Sequence, residues 1–168
     1  LLPKTLKHLY LYCEDVFILL IQQNVHMNEL LPVLHTLRLS GSRLCEENLK
    51  NLPSNLIELS VVDSHYGKIK SSTIFCDLPR TIQRLTLRFL IVDLSEHGND
   101  LPSNLVSLDN FYVSCNFNWF SKLPSSLKSL EIDSIYFEPV WDTLPHQLEE
   151  LKLGYSGIVL KSLGRLPQ

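Results

Sequence analysis

The sequence predicts an α/β repeat solenoid, a right-handed superhelix with a parallel β-sheet on one face and mostly irregular, 3₁₀ or short helical returns on the other. Three observations point there. Of 168 residues, 35 are leucine and none is alanine. Eight of the nine prolines directly follow a leucine, at Leu2, Leu31, Leu52, Leu78, Leu101, Leu123, Leu144 and Leu166. An alternating apolar pattern then resumes behind the first seven of these pairs, giving the frame Leu-Pro-x-x-Leu-x-x-Leu-x-Leu with Ile or Val as substitutes. Recurrence at a spacing of 21 to 29 residues is the mark of stacked supersecondary units.

Each unit follows from its residues. Proline fixes its own φ, has no N–H to donate and drives the preceding leucine into extended backbone, so no helix runs through the junction and the chain restarts there. Behind Leu2-Pro3, the triplet Leu6/Leu9/Leu11 has the period of two expected of a half-buried strand. The long first return gives Val16 to Leu30 room for a helix. In the second unit Leu34/Leu37/Leu39 stand one residue closer to the proline, and Cys45 to Lys50 reads as a short helical turn. Complete frames follow at Leu56/Leu59/Val61 and Ile82/Leu85/Leu87. The fifth unit departs, because Leu105 and Leu108 are followed by Asn110 at the last apolar position, with Phe111 and Val113 beyond it. Leu127/Leu130/Ile132 and Leu148/Leu151/Leu153 complete the series, and the return Tyr136 to Trp141, which holds Pro139, reads as extended or 3₁₀.

One unit cannot stand alone. Four buried apolar side chains do not offset the conformational entropy of ordering more than twenty residues, so neighbouring units must stack. Seven strands paired in parallel at about 4.8 Å form a ribbon on the order of 29 Å wide. Residues 1–168 are thus expected to be a single solenoid of about seven repeats plus the start of an eighth at Leu166, cut from a longer chain because neither end carries a polar cap. The aromatics Phe117, Trp119, Phe120, Phe137 and Trp141 recur just ahead of Leu123 and Leu144 and are assigned to the core.

This pattern resembles the leucine-rich repeat family over the whole chain, and its Leu-Pro opening is most similar to the FNIP repeats and the LP-type repeats of bacterial effectors. Phe137 to Pro145 is similar to the middle of an FNIP unit, with Glu138 in place of its asparagine. At the position after the strand where the general family carries asparagine, this chain has Glu14, Ser42, Ser64, Leu90, Val113, Ile135 and Ser156. The resemblance implies that a protein partner binds the exposed face of the sheet, and by alternation that face carries Tyr10, Tyr12, Arg38, Arg84, Arg88, Phe111, Glu131, Asp133, Glu150 and Lys152. Tyrosine and arginine are enriched at interaction hot spots, which gives Tyr10, Tyr12, Arg38, Arg84 and Arg88 first place. The resemblance also implies two narrower settings, the substrate-recognition part of an F-box ubiquitin-ligase adaptor or the repeat domain of a bacterial effector ligase.

Other function classes find little support. A net charge of −3 without clustered Lys or Arg gives no basis for nucleic-acid or anionic-membrane binding. The longest apolar run, Val16 to Ile21, is far shorter than the roughly 20 residues that span a bilayer. Cys13, Cys45, Cys76 and Cys115 form no CxxC pair, and no Asn-x-Ser/Thr acceptor occurs; both point to an intracellular, cytoplasmic chain. Neither a nucleophile elbow nor a phosphate loop nor a zinc-helix motif is present, and Asp63-Ser64-His65 are adjacent in sequence where a triad must converge in space. The expectation is a non-enzymatic module without cofactor, metal or small-molecule substrate.

Overall fold

The computed structural model describes residues 2–12, 27–41, 50–62, 68–69, 75–88, 91–93, 101–114, 119–134 and 141–154. Seven strands begin where the frame puts them: β1 (His8–Leu11), β2 (Thr36–Ser40), β3 (Glu58–Val62), β5 (Arg84–Arg88), β7 (Ser107–Ser114), β8 (Ser129–Ser134) and β9 (Glu150–Leu153). Two shorter ones intervene, β4 (Lys68–Ile69) and β6 (Ile91–Asp93). All pairings are parallel, and the main path runs β1-β2-β3-β5-β7-β8-β9.

Register converts the leucine count into one continuous row. Leu9, Leu37, Leu59, Leu85, Leu108, Leu130 and Leu151 pair in succession across the seven strands. The first six are buried and Leu151 is half-buried against the core. A row at the turn behaves likewise: Leu34, Leu56, Ile82, Leu105 and Leu127 are all 0% exposed, with Leu6 and Leu148 partly buried. A backbone spine lies between these rows, in which the carbonyls of Lys7, His35, Ile57, Gln83, Val106 and Lys128 each accept two N–H groups from the next repeat at 2.7–3.1 Å.

Every repeat enters its strand through the same turn. The carbonyl of Pro3, Pro53, Pro79, Pro102, Pro124 or Pro145 accepts the N–H of the leucine or isoleucine three residues on, at 3.0–3.1 Å. In the second repeat Leu31 does this for Leu34, at 3.2 Å, so the missing residue of that frame is absorbed by moving proline one place into the turn. Proline is at ease there, since its fixed φ suits the first central position of a type I turn. The second central position forms a ladder of its own. Asn55 donates to the Pro32 carbonyl (2.8 Å) and Asn104 to that of Arg80 (3.2 Å), while the Thr81 hydroxyl shares its one proton between those of Ser54 and Leu56 (2.8 and 2.7 Å) and the Ser126 hydroxyl between those of Ser103 and Leu105 (2.8 and 2.7 Å). Thr81→Val keeps nearly the same shape and strips that donor from two carbonyls, one of them partly buried. An expected loss of about 1 kcal/mol, read from the urea midpoint at unchanged slope, checks it.

The return side is more ordered than the sequence suggested. β4, β6 and the end of β7 pair in parallel as a second short run, Lys68 with Ile91 and Ile91 with Tyr112. β7 is long enough to serve both runs, which joins them into one nine-stranded sheet. Ahead of three Leu-Pro junctions the chain makes a tight helical turn around a large apolar residue: Leu78 donates to the Phe75 carbonyl (3.3 Å), Leu123 to that of Phe120 (3.2 Å), and Trp141–Thr143 is 3₁₀. Phe75 and Phe120 are each 1% exposed, as is Met27 at the start of the helical turn Met27–Leu30. Phe120 thus meets its assignment to the core; the side chains of Trp119 and Trp141, and Phe117 and Phe137 altogether, lie outside the described residues. Of the helix expected over Val16 to Leu30, the structure describes the turn Met27–Leu30; its residues 16–26, and 45–49 of the turn expected over Cys45 to Lys50, lie outside the described residues.

The fifth unit carries the main irregularity. Leu108 pairs with Leu130 and the next pair is Phe111 with Ile132, so β7 holds one extra residue there, and Tyr112 then pairs with Ser134, so β8 takes up one in turn and restores the register. The bulge brings the apolar Phe111, in place of Asn110, into register with the buried Ile132. Counting in twos from Ser107 places Phe111 on the exposed face; its side chain lies outside the described residues.

Candidate binding surface

Side chains between the leucines fall into two rows on the opposite face. One runs His8, Thr36, Glu58, Arg84, Ser107, Ser129, Glu150, and the other Tyr10, Arg38, Ser60, Thr86, Asp109. Tyr10 is 45% exposed, and Tyr12, just past the end of β1, is 82% exposed. Arg88 ends β5 in the exposed class, Glu131 is half-exposed on β8, and Glu150 and Lys152 are exposed on β9. Phe111 and Asp133 lie within β7 and β8, with their side chains outside the described residues.

The N-terminal half of this face is organised around Glu58, which alternation places on the face but residue type alone does not single out. Its carboxylate accepts the Arg38 Nε at 2.7 Å, pairs with Arg38 Nη2 at 2.7 Å and accepts the Arg84 Nε at 3.3 Å, so three strands are bridged by one side chain. Glu58 is only 14% exposed, whereas Arg38 and Arg84 keep 54% and 57% of their side-chain surface. The Glu58 hydrogen bond and charge push the Arg38 pKa above its ordinary value, with smaller support from Tyr10 and Tyr12. The Arg38 guanidinium also lies over the Tyr10 ring, 5.4 Å from its centre. Exposed pairs of this kind add little stability, so their consequence is geometric: tyrosine, two arginines and a carboxylate are held in one arrangement before any partner arrives. Glu58 was legible from the repeat alignment, which sets it directly between the strands carrying Arg38 and Arg84.

Carboxylates gather on the other half. Ser107 donates to Asp109 (2.8 Å), Ser129 to Glu150 (2.9 Å), and Lys152 Nζ lies 2.9 Å from Glu150. Glu150 raises the Lys152 pKa, and Glu131 and Asp109 add to the effect, so one ammonium answers several carboxylates. The Lys152 hydrogen bond, then that of Ser129, holds Glu150 below its ordinary pKa. A carboxyl whose folded pKa is depressed contributes stability above its unfolded pKa and loses it as pH falls through the folded value. Lys152→Ala should move the Glu150 titration, followed by carboxyl ¹³C shifts, back up toward the ordinary glutamate range.

Among the described residues no group of His, Cys, Asp and Glu is arranged to hold a metal ion, and no helix is long and apolar enough to cross a membrane. No family model and no curated protein matches the chain. Among solved structures it is similar to CroV588, described as a novel circular LRR protein, with a TM-score of 0.59 and 24% identity over 92% of this chain. The match spans 21% of that chain, about a fifth of its length. That likeness, with the parallel sheet and the leucine rows, establishes the fold as a leucine-rich repeat solenoid.

Proposed function

We propose that this leucine-rich repeat solenoid is a protein-binding module that engages its partner on the exposed sheet face. The observation that carries the reading is the Tyr10–Arg38–Glu58–Arg84 assembly, whose hot-spot residue types are already fixed in place yet keep about half of their surface open. Tyr12, 82% exposed beside it, extends the aromatic contact. A scaffold role without catalysis fits the same face, where Glu58 and Glu150 are held by arginine, serine and lysine partners. The Leu-Pro opening of each turn supports placement with the proline-starting variants of the fold, and the cysteine pattern supports a reducing compartment.

A peptide-display selection on the intact chain tests the reading. Ser60→Trp obstructs the middle of the Tyr10-to-Asp109 row, while Ser103→Trp places the same bulk on an exposed turn at the sheet margin. Selected binders should lose affinity for Ser60→Trp and keep it for Ser103→Trp. The opposite pattern would remove the sheet face from consideration.

A further inference from the structure

The two halves of the face carry opposite charge. Arg38 and Arg84 lie on β2 and β5 with the Glu58 carboxylate between them. Asp109, Glu131 and Glu150 lie on β7, β8 and β9 around the single ammonium of Lys152. Internal pairing does not cancel this division. Glu58 engages Arg84 through Nε, at 3.3 Å, and the Arg84 side chain keeps 57% of its surface, so its two terminal nitrogens stay open to a further acceptor. A guanidinium fork matches a carboxylate in two-point contact. On the other half Lys152 pairs with Glu150 at 2.9 Å, Asp109 accepts the neutral Ser107 hydroxyl at 2.8 Å and Glu131 stands in register beside Lys152, which leaves Asp109 and Glu131 able to accept a cation.

Resting on the reading above, we infer that the partner is a bipolar protein segment, with a carboxylate side chain seated on the Arg84 fork and a lysine or arginine seated between Asp109 and Glu131. A polyanion such as nucleic acid or an acidic lipid surface meets repulsion over half of the face, and so does a uniformly acidic or uniformly basic peptide. Strand spacing sets the distance between the two contacts. One step of about 4.8 Å separates β5 from β7 and two separate it from β8, so the two contacts lie roughly 5 to 10 Å apart. An extended peptide at about 3.3 Å per residue covers this in roughly two to three residues.

Fluorescence anisotropy with three synthetic peptides of equal length tests the inference on the intact chain: one with two glutamates and two lysines separated by two neutral residues, one with glutamate at all four positions, and one with lysine at all four. The bipolar peptide should bind at least fivefold more tightly than either uniform peptide at low salt, the margin narrowing as salt rises. Arg84→Glu should weaken the bipolar peptide about two- to fivefold and strengthen the all-lysine one, and Glu131→Lys should strengthen the all-glutamate one. A gain for the matched peptide cannot come from a misfolded variant, so the pair of reversals reads charge and not folding. Equal binding of all three peptides, preference for a uniform one, or reversals that leave preference unmoved would each overturn the inference. If display-selected binders still depend on Ser60 in that case, the sheet face stands as the binding surface and only its charge code is wrong. If no binder depends on Ser60, both fall.

Discussion

Leu85→Ala should lower the stability of the solenoid by about 2–5 kcal/mol, measured as a drop in the urea midpoint. Leu85 is 0% exposed and pairs in register with Leu59 on one side and Leu108 on the other, both also 0% exposed. Truncation therefore opens a hole in the middle of the leucine row. Ordinary cores recover part of such a loss by letting neighbours close in, but here the neighbours belong to strands whose separation is set by the backbone spine. The Ile57 carbonyl accepts both Gln83 and Arg84, and the Gln83 carbonyl accepts both Val106 and Ser107, so neither flanking repeat can slide inward without breaking paired bonds. Leu151→Ala provides the contrast: Leu151 is only half-buried, gives up less area and should cost distinctly less. Stability in a stacked array is approximately a sum of local and nearest-neighbour contributions, so the Leu85 loss falls on two interfaces at once. A broadened transition with a lower slope would mean that the array has split at the damaged layer and no longer unfolds as a unit.

The strand positions were legible in the sequence because two strong local signals coincide in each repeat, a proline that ends whatever precedes it and an apolar residue at every second position after it. Where those signals are at odds, counting from them misleads. Pro32 comes one residue late relative to the turn, and the turn tolerates it because both positions suit proline. Asn110 falls on an apolar position, and β7 takes up an extra residue so that Phe111 pairs with Ile132. Both adjustments are tertiary: the stack of neighbouring repeats dictates the register, and the local sequence yields to it. The short pairing of β4 with β6 escaped notice because two or three residues carry no readable period. The turn ladder at Asn55, Thr81, Asn104 and Ser126 is present in the sequence as a polar residue just before Leu56, Ile82, Leu105 and Leu127, yet becomes meaningful only once adjacent turns lie within hydrogen-bond reach. Glu58 is the same kind of case. Hot-spot statistics select the arginines and tyrosines, while the carboxylate that fixes them is found by reading across strands and not along the chain.

Phe120→Ala should cost about 3–5 kcal/mol, at least as much as the leucine truncation and from the opposite wall. Phe120 is 1% exposed within the 3₁₀ turn Trp119–Lys122, and the Leu123 N–H bonds its carbonyl at 3.2 Å, so the ring is carried by the same turn that leads into the Leu123-Pro124 restart. Removing it empties the space between the returns and the leucine rows and loosens the junction that sets the next strand. Because this residue lies on the far side of the core from Arg38, Glu58 and Arg84, it separates two properties that a damaged binding module usually loses together. Well below its lowered melting temperature, Phe120→Ala should bind the display-selected peptides with unchanged affinity. Arg84→Glu should do the reverse, altering peptide preference while the melting temperature moves little, since an exposed arginine pair with 57% of its side chain open contributes little to stability. Loss of peptide binding in Phe120→Ala at a temperature where its circular dichroism remains native would show that the face depends on the returns for its shape. The rigid backbone spine would then not suffice to hold the Tyr10–Arg38–Glu58–Arg84 arrangement, and the binding surface would have to be described as a property of the whole layer and not of the sheet alone.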